Sequence, residues 1–176
     1  MNVVAEKLTL EQFRATYAES KPYYELLDGE AVQKAMPTKP HSYLQLVLCY
    51  ILKELGYKAG PELTLAMSEK WEPVPDVCGL LGHSDKEPYP TRPIPVAIEI
   101  LSPDDRFTRV IKKCRRYAEW GIADILVFDP IGREAWFWDK SSDDLARIQQ
   151  TYLFKSKPVQ LTLAGVFHRL DAELES

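Results

Sequence analysis

The run Pro95-Val96-Ala97-Ile98-Glu99-Ile100-Leu101 constrains this chain more than any other feature. Short and almost wholly apolar, it has the character of a strand covered on both faces. Ser102-Pro103-Asp104-Asp105 then reads as a helix cap, Gly121 as a helix end, and 105–120 as the helix between them. Ile125–Phe128 is a second buried strand, followed by a turn at Asp129–Gly132 and a strand at Glu134–Trp138. A buried strand, a helix and another buried strand point to a mixed central sheet flanked by helices, in an α/β or α+β fold.

The flanking segments fit that plan. Thr9-Leu10-Glu11-Gln12 forms a capping box ahead of Phe13 and Tyr17, so 9–19 is expected to be a short helix. Asp28-Gly29 between Tyr24–Leu27 and Glu30–Val32 signals a hairpin. Pro37 and Pro40 bracket a loop. From His41, apolar residues at 44, 47, 48, 51, 52 and 55 mark one face of a helix closed by Gly56. Tyr57–Met67 and Val77–Leu81 look strand-like, 82–93 is a polar, Pro-rich loop, and a last strand is expected near Ile148–Phe154, before a segment with no clear pattern. A chain of 176 residues, 45% of them apolar, can bury one real core, and residues 1–176 read as a single domain.

Composition narrows function. Net charge is −4, so contact with nucleic acid must come from a local patch rather than a global basic field. Cys49, Cys78 and Cys114 are odd in number, far apart and set in apolar surroundings, which suits core thiols in a reducing compartment. His41, His83 and His168 are too scattered for a zinc site. Residues 1–7 lack a signal-peptide layout, and the longest apolar run, Leu44–Leu55, is too short to span a bilayer. A cytoplasmic protein with no membrane partner is expected.

Three features carry chemistry. Glu99 lies inside an apolar strand, where an unpaired charge costs several kcal/mol. It needs a basic partner, a hydrogen-bond cluster or a metal. Asp76 follows Pro73-Val74-Pro75 at the start of the Val77 strand, where the prolines stiffen its approach. Two carboxylates brought together repel unless a proton or a divalent cation lies between them, and carboxylates with open water positions are how Mg²⁺ is usually held. The third feature is the helix after Glu99. At ~100° per residue, Phe107, Val110, Ile111, Cys114, Tyr117 and Ala118 share a core-facing arc. Arg109, Lys112, Arg115 and Arg116 lie outside it, with Lys113 and Arg106 at its border. Six basic and two acidic residues in 104–116 make either a solvated face or a patch for phosphate oxygens.

Pro75-Asp76, Glu99 followed by Leu101-Ser102-Pro103, Lys113-x3-Tyr117-x3-Gly121-Ile122 and Val127-Phe128-Asp129-Pro130 together resemble the Uma-two family of restriction endonucleases, a branch of the PD-(D/E)XK nuclease superfamily. Tyr24-Glu25-Leu26-Leu27-Asp28-Gly29-Glu30 and Pro40-His41 extend the resemblance, which covers roughly 20–130. It implies a restriction-endonuclease-like core and a homodimeric Mg²⁺-dependent endonuclease acting on DNA, with Mn²⁺ as a substitute. Asp76 and Glu99 would bind the metal, with the Ile100 carbonyl as a further ligand. The superfamily motif places a lysine where this chain has Leu101; in the family it has moved to the following helix, which points to Lys113. Lys113 would orient the attacking water or stabilise the transition state. Glu25, Glu30 and His41 are second-tier candidates, and Arg106, Arg109 and Arg116 are candidates for the nucleic-acid contact. Trp136-Phe137-Trp138 offers a dimer interface or a buried hairpin. The rival readings are a nuclease-fold binding or assembly module without the metal site, against which Asp76, Glu99 and Lys113 count, and an enzyme of small phosphorylated substrates.

Overall fold

The computed structural model describes residues 7–21, 23–82, 87–103 and 105–175. In chain order the elements are α1 (Leu10–Tyr17), β1 (Tyr24–Leu27), β2 (Glu30–Gln33), α2 (Lys39–Glu54), β3 (Lys58–Pro61), β4 (Trp71–Glu72) and β5 (Val77–Leu80). There follow β6 (Val96–Ile100), α3 (Phe107–Trp120), β7 (Asp124–Asp129), β8 (Glu134–Asp139), β9 (Asp144–Arg147), β10 (Thr151–Leu153), β11 (Gln160–Thr162) and α4 (Leu163–Glu175).

Six strands form the central sheet in the order β3-β5-β6-β7-β8-β9. Only β6 and β7 run parallel; every other neighbouring pair is antiparallel. Parallel neighbours need a crossover, and α3 supplies it. Side-chain alternation splits β6 between two cores. Val96, Ile98 and Ile100 join the cluster built with α2 and α4, whereas Ala97 joins the α3 cluster of Val110, Cys114 and Tyr117. Glu99 shares the parity of Ala97, so the sheet aims it at α3. A smaller sheet, β2-β1-β4, and the β10-β11 pair complete the strands.

Local signals account for most boundaries. Thr9 and Gln12 close the capping box of α1. Asp28 and Gly29 both have positive φ, the geometry of a two-residue hairpin turn. Gly121 ends α3 in the left-handed region at φ 111°. All three cysteines are buried and free.

Several expectations need correction. α2 begins at Lys39, capped by Thr38, so Pro40 belongs to its first turn, where its missing N–H costs nothing. β3 covers only 58–61 of the strand-like 57–67 segment. Pro61 and the positive φ of Glu62 end it, and Leu65 is buried from irregular backbone. α3 starts at Phe107 rather than at 105. The Asp105 carboxylate instead accepts the Ser102 N–H at 2.7 Å, closing a turn between β6 and the helix; Asp104 lies outside the described residues. Phe107 is 41% exposed, held at the core rim by an edge contact with Trp136. The strand expected near 148–154 is split, with Ile148 buried between β9 and β10, and the patternless tail contains β11 and α4. Trp138 is buried and Phe137 packs on Tyr152, so the aromatic stretch serves the chain's own core. Among the described residues no helix is long and apolar enough to cross a membrane. Residues 1–6, His83 and the remainder of 83–86 lie outside the described residues.

Candidate functional site

The register of β5 against β6 pairs Val77 with Ile98 and Cys78 with Ala97. One step further along the same line sets Asp76 opposite Glu99, on the α3 side of the sheet. Asp76 is fixed from several directions. Its backbone carbonyl accepts the Gln45 amide at 2.8 Å, and its Oδ2 accepts the Ile100 N–H at 2.7 Å. Lys34 Nζ, just past the end of β2, reaches Asp76 Oδ1 at 2.7 Å, and His41 Nε2, in the first turn of α2, lies 3.5 Å from Oδ2.

Glu99 meets α3. The Tyr117 hydroxyl donates to Oε1 at 2.7 Å, and Lys113 Nζ lies 2.9 Å from the carboxylate. Lys113 also donates to Glu25 Oε1 at 2.7 Å, and that oxygen accepts the Val74 N–H at 2.7 Å. Glu25 thereby ties the small sheet to the end of the large one. Lys113 is only 5% exposed, because the arc border that holds it is closed over by β1.

Glu25, Asp76 and Glu99 supply three carboxylates, whereas Lys34 and Lys113 supply two ammonium groups. Counted as ionised groups, the carboxylates outnumber the ammonium groups by one. The proton affinities follow. Burial pushes the Glu99 carboxyl up to about 7, with Asp76 and Glu25 adding to the shift and Lys113 and Lys34 opposing it. Burial works the same way on Asp76, but Lys34 and His41 outweigh it and hold that carboxyl well below the usual range. Burial would lower Lys113, yet Glu25, Glu99 and Asp76 keep it firmly protonated. Burial, with Glu99 and Glu25, pushes the Tyr117 hydroxyl well above its ordinary value, so it stays a donor. Among the described residues, His41 Nδ1 is a buried nitrogen without a hydrogen-bond partner.

Glu25, Lys34, His41, Asp76, Glu99 and Lys113 line one cleft with Ile100, Ser102, Asp105, Glu62 and Arg109, and Tyr117 lies behind Glu99. Its interior of ≈ 60 Å³ has room for an ion and several waters. The sequence candidates therefore divide. Asp76, Glu99, Lys113, Glu25 and His41 converge, and Arg109 stands at the cleft wall. Glu30 is exposed beside the hairpin turn, opposite Leu27, and does not line the cleft, because the turn carries it away from the Glu25 end. Arg106 is exposed at the α3 cap and is absent from the lining. Arg116 stands over the Trp71 ring at 5.1 Å and pairs with Glu119 at 2.9 Å, in a separate depression. The α3 charges thus do not form one patch. The sequence gives no sign of Lys34, which carries no motif, and places Tyr117 on the core arc and in the family motif without a role at the site. The one available signal for Tyr117 was its position a single turn beyond Lys113. No group of three or more His, Cys, Asp or Glu side chains that could hold a metal occurs among the described residues.

A model of the Uma2 family, described as "Putative restriction endonuclease", matches residues 10–172. The crystal structure of a protein from Anabaena variabilis described as "a putative nuclease belonging to DUF820" superposes with a TM-score of 0.80 at 20% identity, covering 93% of this chain and 99% of that one. The two share a fold. A cryo-EM structure of a DrdV–DNA complex reaches a TM-score of 0.39 at 14% identity, over 74% of this chain and 11% of that one. No curated protein matches the sequence.

Proposed function

The chain belongs to the Uma2 family, and on that premise we propose that it is a Mg²⁺-dependent endonuclease that hydrolyses phosphodiester bonds in DNA. The observation that carries this reading is the buried cluster itself: Asp76 and Glu99 side by side, a protonated Lys113 behind them, and three carboxylates against two ammonium groups. A cation would neutralise that excess, and Mg²⁺ is commonly bound through one or two carboxylates plus water and phosphate oxygens. The residues present fit the ion: Asp76 and Glu99 would hold it, with Ile100 lining the same wall. When bound, Mg²⁺ lowers the pKa of water and offsets charge on the phosphate.

The chain's own groups do the rest. Tyr117 fixes the rotamer of Glu99 by donating to Oε1. Glu25 anchors the Lys113 ammonium from behind, so its remaining N–H faces the cleft, where it can orient a water or stabilise charge growing on the phosphorane oxygens. Arg109 at the cleft wall is placed for an adjacent phosphate. Cleavage of both strands of a duplex calls for paired sites, so we read the working form as a homodimer, with Mn²⁺ able to replace Mg²⁺. Three buried thiols suit the reducing cytoplasm.

The test is plasmid cleavage by wild type, Lys113→Ala and Lys112→Ala. Lys112 is exposed and lies 3.6 Å from Asp28, away from the cleft. Removing a positioned transition-state contact lowers rate by about 10²–10³, so Lys113→Ala should lose activity that Lys112→Ala keeps. Equal losses would assign both lysines to docking. One observation favours a second reading: every oxygen of Asp76 and Glu99 already has a partner within the chain. That suits a nuclease-fold binding module without catalysis. Absence of cleavage with Mg²⁺ and Mn²⁺ on DNA and RNA would favour it.

A further inference from the structure

Lys34 is the cluster's one cation that nothing above uses. It follows β2 directly, and its backbone N–H donates to the Tyr23 carbonyl at 2.9 Å, so its Cα is fixed by the hairpin. Its ammonium donates at 2.7 Å to Asp76 Oδ1 and at 2.8 Å to the Val74 carbonyl. A carboxylate oxygen and a backbone carbonyl on one side, with the cleft on the other, is the surrounding a bound cation would have. The side chain keeps 13% exposure, about twice that of Lys113, and lines the cleft wall.

The two oxygens of Asp76 are not equally available. Oδ2 accepts the Ile100 N–H, which belongs to a strand of the central sheet and cannot withdraw without breaking β6. Oδ1 is held by a flexible four-carbon stem that can swing toward the cleft. A divalent ion that takes Oδ1 meets the Lys34 ammonium on the same oxygen, and like-charge repulsion makes Lys34 the group that leaves.

We propose that Lys34 is a built-in competitor for the cation site: it neutralises Asp76 while the site lacks metal and leaves Oδ1 when a divalent ion arrives. This rests on the metal-dependent reading above. The lysine serves as a stand-in that keeps the metal-free cluster folded. It also sets the divalent-ion concentration at which the site fills, by requiring an ion pair to break first. Lys113 cannot play this part, because its ammonium is shared between Glu25 and Glu99 and donates to neither oxygen of Asp76.

Mn²⁺ binding to the full chain, followed by the loss of the free-ion paramagnetic resonance signal, tests this without any cleavage assay. Wild type, Lys34→Met and Lys112→Met are compared, with Asp76→Asn as the control for the site. Methionine keeps the stem and removes the charge. Lys34→Met is expected to bind Mn²⁺ about tenfold more tightly than wild type, whereas Lys112→Met, which loses the same charge at the surface, stays within about twofold. A wild-type crystal soaked in Mn²⁺ should show Lys34 Nζ withdrawn from Asp76 Oδ1. Equal affinity in wild type and Lys34→Met, with Asp76→Asn abolishing binding, overturns the competition and leaves the metal reading standing. An equal gain in Lys34→Met and Lys112→Met reduces the effect to net charge and also overturns it. No Asp76-dependent binding in any variant overturns the metal reading and the competition together. Circular dichroism of each variant confirms folding, and if Lys34→Met unfolds, Lys34→Gln takes its place.

Discussion

Two carboxylates are buried on the adjacent parallel strands β6 and β7, and the sheet treats them oppositely. Asp124, at the start of β7, is completely enclosed and accepts from the Tyr152 hydroxyl at 2.8 Å and from the backbone N–H groups of Lys155 and Ser156 at 2.7 and 2.9 Å, with the Ser156 hydroxyl adding a further donor. Every partner is neutral. Its charge is spread over a loop, and the loop is pinned to the sheet in return. Glu99, near the other end of β6, is surrounded by charges: Lys113 against it, and Asp76 and Glu25 close enough to raise its proton affinity. A buried acid satisfied by neutral dipoles is an anchor. One held in a cluster with a charge left over is poised to exchange a proton or a cation. Burial alone does not separate the two; the sign and number of the neighbours do.

The largest effect expected from this contrast is on stability. Asp124→Ala strips the acceptor from four donors at once, and each buried donor left without a partner costs about 1–3 kcal/mol. Allowing for water reaching the loop, we expect a loss of about 3 kcal/mol or more, a fall in Tm of roughly 10 °C for a domain of this size. Asp124→Asn, which keeps one acceptor oxygen, should fall between. Thermal unfolding followed by circular dichroism decides the matter. A shift of Asp124→Ala below about 1 kcal/mol would erase the distinction between anchor and site.

A smaller effect, and of opposite sense, belongs to Glu99 in metal-free protein. Its folded proton affinity lies above the ordinary 4.5, at about 7. Between those values the folded state binds more protons than the unfolded one. Stability therefore falls as pH rises from 4.5 through 7, and stays lower above it. Asp76 has the reverse sign: its contribution is present above 3.8 and is lost as pH drops below that. From pH 5 to pH 8 the Glu99 slope dominates, amounting to about 1–3 kcal/mol. Urea midpoints in EDTA should drop across that range for wild type and change little for Glu99→Gln. A Glu99→Gln profile that keeps the full slope would move the titration to another group.

The asymmetry also explains what was legible in the sequence. Glu99 stands out because a charge inside Val-Ala-Ile-Glu-Ile violates the pattern of a buried strand, and Asp76 because two prolines deliver it to the next one. Lys113 could be placed from helical phase once the helix was found. Asp124 follows Ile122-Ala123 at a strand start and looks like any turn acid; its donors lie about thirty residues downstream, in a loop no local rule predicts. Lys34 was hidden for the same reason, being 42 residues from Asp76 in sequence. In the fold, strands and helices with local signals were readable: the capping box of α1, the Asp-Gly hairpin, and Gly121. β11 and α4 were not, because α4 takes its place by packing against α2, a contact between chain segments more than a hundred residues apart. Periodicity reports which face a residue occupies, but not what is brought against that face.

The smallest expected effect separates two arginines that the sequence could not tell apart. Arg109 and Arg116 lie on the same helix with the same charge, and helical phase puts both outside the core arc. In the structure Arg109 lines the cleft, whereas Arg116 covers Trp71 and is tied to Glu119. An arginine that contacts one phosphate contributes about one unit to the slope of log affinity against log salt concentration. An arginine already committed to an aromatic face and a carboxylate contributes little. Fluorescence anisotropy of a short duplex at several salt concentrations, in EDTA so that no cleavage intervenes, should give Arg109→Ala a slope lower by about one unit. Arg116→Ala should match wild type in slope, with any loss appearing in stability instead, because the Trp71 ring would be uncovered. Equal reductions in both would mean that duplex lies along the whole outer face of α3, so that the phosphate contacts extend beyond the cleft to the depression around Trp71.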